Sequence, residues 1–403
     1  MVVILGESCN GLSFARSLGR RGIPTLMLAS EGLLGAFTRY GKVVMLPCPD
    51  RFPHEWVAFL EFVGSRLHMP GVLFAASDVY CLMVSRHREA LQRHFRFVAP
   101  DPLIVERTLN KRCQYETARS AGVPTPTTHF PDSRQEASRI AAELSYPCIL
   151  KPYMSRTARA ILGKQKVLVV HSKEELIAAY EEVTRAAAPF MIQEIIPGED
   201  SCLFGYLAFW DGEGRERAWV TKRKLRQYPP QFGDGSLQVT VEAPQVVELS
   251  RRLIRAFDYR GFVGVEFKFD ARDESYRLIE MNPRTVSGNQ IAISAGVDFP
   301  WIAFQYLTGG ELALESTTPG RRPVKYVNEE WDIQAFLALR KLGMLNLRGW
   351  FGSLRHAQAK AFWAWDDPLP ALAGLARFAR WLLTAEPSKG PTRSRANPPQ
   401  VGR

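Results

Sequence analysis

Gly261 to Gln290 reads GFVGVEFKFDARDESYRLIEMNPRTVSGNQ, and its alternation decides what the chain around it must be. In the first half Val265, Phe267 and Phe269 alternate with Glu266 and Lys268. In the second half Ile279 and Met281 alternate with Glu280 and Asn282, the period-two pattern of strands with one apolar face. Pairing Asp270 with Tyr276 across Ala271 to Ser275 sets Glu266 directly opposite Glu280, with Asn282 on the same face roughly 7 Å along. Like charges set opposite each other are unfavourable unless a cation lies between them. Oxygen donors this few suit Mg²⁺ that keeps water and phosphate oxygens. Arg284 then reaches the same phosphates. The stretch therefore predicts a metal-phosphate site; a solvated hairpin with an acidic outer face is the other reading of the same alternation.

At 403 residues the chain exceeds one comfortable core, so two or three domains are expected, and 46% hydrophobic with 23% charged is ordinary globular composition. Its six cysteines stand singly with no Cys-x-x-Cys, which argues against a disulfide framework or a zinc site and for a reducing, cytoplasmic setting. No basic leader precedes Val2 to Leu5, and no uncharged apolar run approaches the roughly 18 residues of a membrane span. The net charge of +11 is uneven: residues 340–403 hold eleven Lys and Arg against three acids, so +8 belongs to that end.

Residues 1–103 alternate short apolar strands (Val2 to Leu5, Thr25 to Leu28, Val43 to Leu46, Val72 to Ala75, Phe97 to Val98) with helical patterns, as a doubly wound parallel sheet does. The turn Gly6 to Gly11 lacks the G-x-G-x-x-G spacing and the Lys-Ser/Thr of a P-loop, so it reads as a ligand-facing turn. Ser8, Asn10, Ser77 and Asp78 fall at strand carboxyl ends, where such sheets bind ligands and where helix caps also lie. From 104 the pattern is α+β: a helix Arg107 to Ala121, strands at Cys148 to Leu150, Val167 to Val170, Met191 to Ile195, Leu203 to Trp210 and Ala218 to Lys224, then a helix Gln245 to Phe257. Residues 311–386 form an extension ending in an apolar helix, Pro370 to Thr384, and 387–403 are Pro, Ser and Arg rich, a composition that does not build a core.

Several signals fall in order: Asn110-Lys111 before a helix and AGVPTP, YPCILKP with Lys151, MIQEIIPGED from Gln193 to Asp200, GVEFKFD with Glu266, and IEMNPR with Glu280, Asn282 and Arg284. Over about residues 1–310 this order resembles the ATP-grasp superfamily, closest to its carboxylate–amine ligase branch. The resemblance implies a pre-ATP-grasp, Rossmann-like domain (1–103) followed by an ATP-grasp domain (104–310, nucleotide lobe about 125–200). It implies ATP and Mg²⁺, with Mn²⁺ a substitute, and an acyl-phosphate formed from a carboxylate and captured by an amine. Lys111 and Lys151 are similar to the two ATP-phosphate lysines, and point cations from separate elements suit a triphosphate. Gln193, Glu194 and Ile196 then face the adenine edge and Asp200 the ribose. Glu266, Glu280 and Asn282 match the magnesium ligands, and Arg284 the cation that steadies the acyl-phosphate. In TKRKLRQYPP, Lys224 or Arg223 is expected near the phosphates or the acceptor. A glycine-rich flap normally follows the second lysine; here Ser155 to Gly163 offers Gly163 alone, which leaves two readings: hydroxyls and arginines make the contacts, or the flap closes by a different motion.

Two other classes fit parts of the chain. A nicotinamide dehydrogenase would explain the first domain, with Glu31 as the ribose ligand but without its glycine spacing. A catalytically weak ATP-binding sensor or scaffold would explain the poor flap. Pro370 to Thr384, beside a basic end, has the composition of a helix lying on an anionic membrane surface, which would place the protein at the inner face of a membrane; the other reading is a helix packed on the domain. Basic and aromatic residues do not interleave over a sheet, so no nucleic acid is expected. The sequence leaves the oligomeric state open, a homodimer among the options.

Overall fold

The computed structural model describes residues 1–154, 161–162, 165–185, 189–310 and 322–384. Three sheets follow one another along the chain. The first is parallel, built of β1 (Val2–Leu5), β2 (Thr25–Ala29), β3 (Lys42–Met45), β4 (Gly71–Ala75) and β5 (Phe95–Arg96) in the order β3-β2-β1-β4-β5. Every residue of β1 is buried, as a strand covered on both faces requires. The strand order reverses between β1 and β4, and the helices Cys9–Gly19 and Asp78–Arg86 start at that switch point. Gly11 is needed there: a Cβ on it would stand 1.9 Å from the Gly6 carbonyl oxygen. The sequence places the last strand at Phe97 to Val98. It forms two residues earlier, where Phe95 enters the core at 1% exposure.

The second sheet is antiparallel: β6 (Thr128–His129), β7 (Cys148–Pro152), β8 (Leu168–Val170) and β9 (Phe190–Glu194), ordered β6-β9-β7-β8 and backed by the helices Arg134–Glu143 and Lys173–Arg185. Of the expected flap at Ser155 to Gly163, all but Ile161 and Leu162 lies outside the described residues.

The third sheet has seven strands: β10 (Leu203–Trp210), β11 (Glu216–Tyr228), β12 (Asp234–Thr240), β13 (Gly261–Asp270), β14 (Ser275–Asn282), β15 (Lys325–Val327) and β16 (Ala357–Lys360). Their order is β14-β13-β10-β11-β12-β15-β16. The helix Pro244–Ala256 packs Val246, Leu253 and Ile254 against its rear through Tyr206, Val265 and Phe267. On the other side Leu207, Phe209 and Val220 share a core with Phe299 and Ile302 and with Val2, Ile4 and Phe14 of the first unit. Residues expected to form only an extension supply β15 and β16. Helix Leu369–Thr384 lies against the turn Leu34–Phe37, with Ala371 and Ala373 packed on a separate core that includes Leu34, Ile291 and Tyr326. No described helix is long and apolar enough to cross a membrane.

The β13–β14 hairpin reaches the expected facing pair by a different route. Asp270 pairs with Ser275, not Tyr276, because the buried Asp270 carboxylate accepts from Arg272 N and from the Arg272 and Arg277 side chains and tightens the turn. Phe267 then pairs with Leu278 and a bulge at Ile279 restores Glu266 opposite Glu280. The bulge also lets Leu278 and Met281, three residues apart, both face the core.

Candidate active site

Register alone lines up one row across four strands: Lys222 on β11 pairs with Gly205 on β10, Gly205 with Glu266 on β13, and Glu266 with Glu280 on β14. Residues of a row share a face. Lys224, two residues along β11, donates to Glu266 Oε1 at 2.9 Å and lies 2.8 Å from Oε2 in the same ion pair. Arg223 points to the opposite face, so of the two cations considered for this site Lys224 is the one beside the carboxylates.

Glu280 is held from the other side. The helix expected from Arg107 to Ala121 is two helices, Pro102–Leu109 and Lys111–Ser120, parted at Asn110, whose side chain caps the second by accepting from Arg112 N and Cys113 N. That break puts Lys111 at the helix start, buried, with its ammonium 2.6 Å from Glu280 Oε1. The same helix grips the edge strand: Tyr115 donates to Ile279 O, and Gln114 bonds both Met281 N and Met281 O. Burial alone would raise the Glu280 carboxyl; Lys111 and Lys151 outweigh it and hold it well below the usual range. Lys151, at the end of β7, is pushed down by burial, against the pull of Glu280 and Glu266.

Asn282 accepts from Arg284 Nη2 at 3.3 Å, and Arg284 Nε donates to Asp78 Oδ1 at 2.5 Å, which ties this site to the switch point of the first sheet. A cleft lined by Asp78, Gln114, Met154, Glu280 and Asn282 opens between them. Of the other strand-end residues, Ser8 caps its own helix, Asn10 donates to Ala76 O and Thr285 O, and Ser77 Oγ is buried without a partner among the described residues.

The upstream segment is placed less directly. Gln193 lies on β9 and donates to Thr128 Oγ1 at 2.9 Å, fastening β6 to β9. Glu194 accepts from Thr127 N and from Arg272, and Ile196 is buried. Asp200 accepts from Gln227 N and Nε2, and burial raises its carboxyl. Sequence reading missed Lys222 and the ion pair of Lys166 with Asp234 at 2.8 Å, which links the second sheet's side of the molecule to β12; nothing in their spacing marks them.

The site thus brings together two opposed carboxylates and one amide oxygen, hard donors of the type Mg²⁺ takes, with an ammonium group seated on each carboxylate. Among the described residues no three His, Cys, Asp or Glu cluster around one point.

Residues 186–330 match the family model described as "ATP-grasp in the biosynthetic pathway with Ter operon". Over that span the chain is similar to the ATP-grasp family. The chain is 28% identical over 302 residues to the D-aspartate ligase of Enterococcus faecium, an alignment covering 70% of each protein. Its fold is similar to that of N5-carboxyaminoimidazole ribonucleotide synthetase from Thermus thermophilus, at TM-score 0.61 and 18% identity over 81% of this chain and 83% of that one. The L-amino acid ligase of Bacillus licheniformis superposes at TM-score 0.59 and 16% identity, covering 80% and 78%. A carboxyaminoimidazole ribonucleotide synthase of this fold is solved in complex with ATP, and the first sheet is the Rossmann-like unit in front of the ATP-grasp fold.

Proposed function

We propose that this ATP-grasp protein is an ATP-dependent ligase that activates a carboxylate as an acyl-phosphate and couples it to an amine, releasing ADP and phosphate. The observation that carries the reading is the Glu266–Glu280 pair, set by register and already neutralised by Lys224 and Lys111. A carboxylate oxygen attacks the γ-phosphorus and the bond to the β,γ-bridging oxygen breaks, so ADP leaves. The amine nitrogen then attacks the acyl carbon, phosphate departs, and the amine's proton is lost.

Glu266, Glu280 and Asn282 hold Mg²⁺, which when bound offsets phosphate charge as a Lewis acid. Lys111, Lys151 and Lys224 turn from the glutamates toward the phosphates, and Arg284, fixed by Asp78 and Asn282, faces the charge that develops on the acyl-phosphate. The strand end from Gln193 through Ile196 supplies the adenine contacts and Asp200 those of the ribose. In this reading the nucleotide lobe, about 125–200, closes on the large sheet and keeps water from the acyl-phosphate, while residues 1–103 and the segment after Arg284 contact the acid and the amine. Helix Leu369–Thr384 contributes peripheral contact with an anionic membrane surface; support comes from its exposed Leu369, Leu372 and Leu375.

The test is Glu280→Ala. ADP formation falls by about a thousandfold or more, as loss of a charge-positioning group implies, while far-UV circular dichroism stays that of the parent. Undiminished turnover would overturn the metal assignment.

A further inference from the structure

Lys222 is 7% exposed and has no hydrogen-bond or ion-pair partner among the described residues, in a site where Lys111 and Lys224 each hold a glutamate. A buried ammonium left alone is costly, which makes it a place where an anion binds. Beside it stands Gln238, 1% exposed, whose Nε2 donates to Gly235 O at 2.8 Å and whose Oε1 is buried with no donor among the described residues. Both heads converge on one point: a Cβ placed on Gly288 would lie 2.6 Å from Lys222 Nζ and 3.3 Å from Gln238 Oε1. Gly205 clears the stem of Lys222 in the same way, its Cβ position being 3.0 Å from Cε.

This point is offset from the phosphate site. Lys222 sits two strands from Glu266, about 10 Å along the row. It lies toward the first sheet, where Cys9 Sγ and Tyr326 OH both donate to Ser287 O beside Gly288.

Resting on the ligase reading, we infer that Lys222 and Gln238 form the subsite of the acid substrate. The ammonium takes a carboxylate oxygen. The amide oxygen takes an N–H or O–H on the neighbouring carbon, so the acid is an α-amino or α-hydroxy acid. Burial lowers the Lys222 ammonium to about 8 against the pull of Glu266; Lys224 on its own strand, Asp234 on β12 and Cys9 on the first helix are the other groups that face it.

The experiment uses the full chain with MgATP and hydroxylamine, which captures any acyl-phosphate as a hydroxamate and frees the assay from the natural amine. Alanine and aspartate are compared with propionate and succinate, then further amino and hydroxy acids with their unsubstituted counterparts. The expected result is at least tenfold more hydroxamate from the substituted acid. Lys222→Met raises KM for that acid at least tenfold and leaves thermal stabilisation by MgATP within twofold in concentration dependence. Gln238→Leu removes the preference over the unsubstituted acid. In the parent KM climbs as pH passes about 8, and Lys222→Met flattens the climb, a change that loss of packing alone would not produce. Unaltered KM in Lys222→Met, or equal use of unsubstituted acids by the parent, overturns the subsite while the ligase reading stands. Absence of hydroxamate with every acid, with MgATP stabilisation intact, overturns the ligase reading and the subsite with it.

Discussion

Asp270 closes the hairpin on which the site is built. Fully buried, it is bonded by Arg272 and Arg277, and those bonds, against the upward push of burial, hold its carboxyl far below the ordinary range. A depressed native pKa means the unfolded chain takes up protons first, from about pH 4 downward, so the stabilisation is complete above that pH and is lost as pH falls through the native value. Asp270→Asn should therefore cost roughly 2–3 kcal/mol at pH 7, and urea titrations should show the gap to the parent narrowing below about pH 4. At this scale the sequence was legible where charge had to be explained: Glu266, Glu280 and Lys111 could be placed by alternation and order. Lys222 could not. Within TKRKLRQ, alternation puts Lys222, Lys224 and Arg226 on one face, yet it does not say that the first lacks a partner, the second holds Glu266 and the third is buried against Asp332.

At the level of elements, the strand pattern predicted the pairing of Glu266 with Glu280 but not the bulge at Ile279 that delivers it, because a bulge depends on what grips the strand. Here the grip is helix Lys111–Ser120, whose Gln114 side chain bonds the N–H and C=O of Met281 as a neighbouring strand would and so covers the edge of the sheet. Gln114→Leu leaves both backbone groups buried and unpaired. The expected loss is about 2–4 kcal/mol in denaturant unfolding, with MgATP affinity falling as well because Lys111 and Glu280 lie on the two elements being parted. Breaking the helix at Asn110 was equally hidden: the run from Arg107 to Ala121 is continuous in pattern, and only the Asn110 cap, bonded to Arg112 N and Cys113 N, divides it.

Across the whole molecule, the succession of a parallel sheet and an ATP-grasp pair of sheets could be read from strand spacing and motif order. The closing third could not, since β15 and β16 are short, β15 joining β12 and β16 joining β15 through contacts distant in sequence. Buried Asp367 pins this region to the first unit, accepting from Arg16 and Thr38, and Arg377 pairs with Glu330. Helix Leu369–Thr384 is thus anchored by one face through Ala371 and Ala373, while Leu369, Leu372 and Leu375 are 55%, 46% and 57% exposed. Apolar side chains standing out on the part of the chain that carries +8 of its +11 charge are suited to an anionic lipid surface, where nearby cations each contribute about 1 kcal/mol and salt weakens them. Full-length protein should sediment with phosphatidylglycerol-containing vesicles at low salt, much less at 0.5 M NaCl, and hardly at all with pure phosphatidylcholine. Leu372→Glu with Leu375→Glu should abolish sedimentation and leave ADP formation unchanged, since neither residue borders the cleft at Glu280 and Asn282. Equal binding to neutral and anionic vesicles, or no effect of the double variant, would refute the membrane contact and leave the helix a packing element alone.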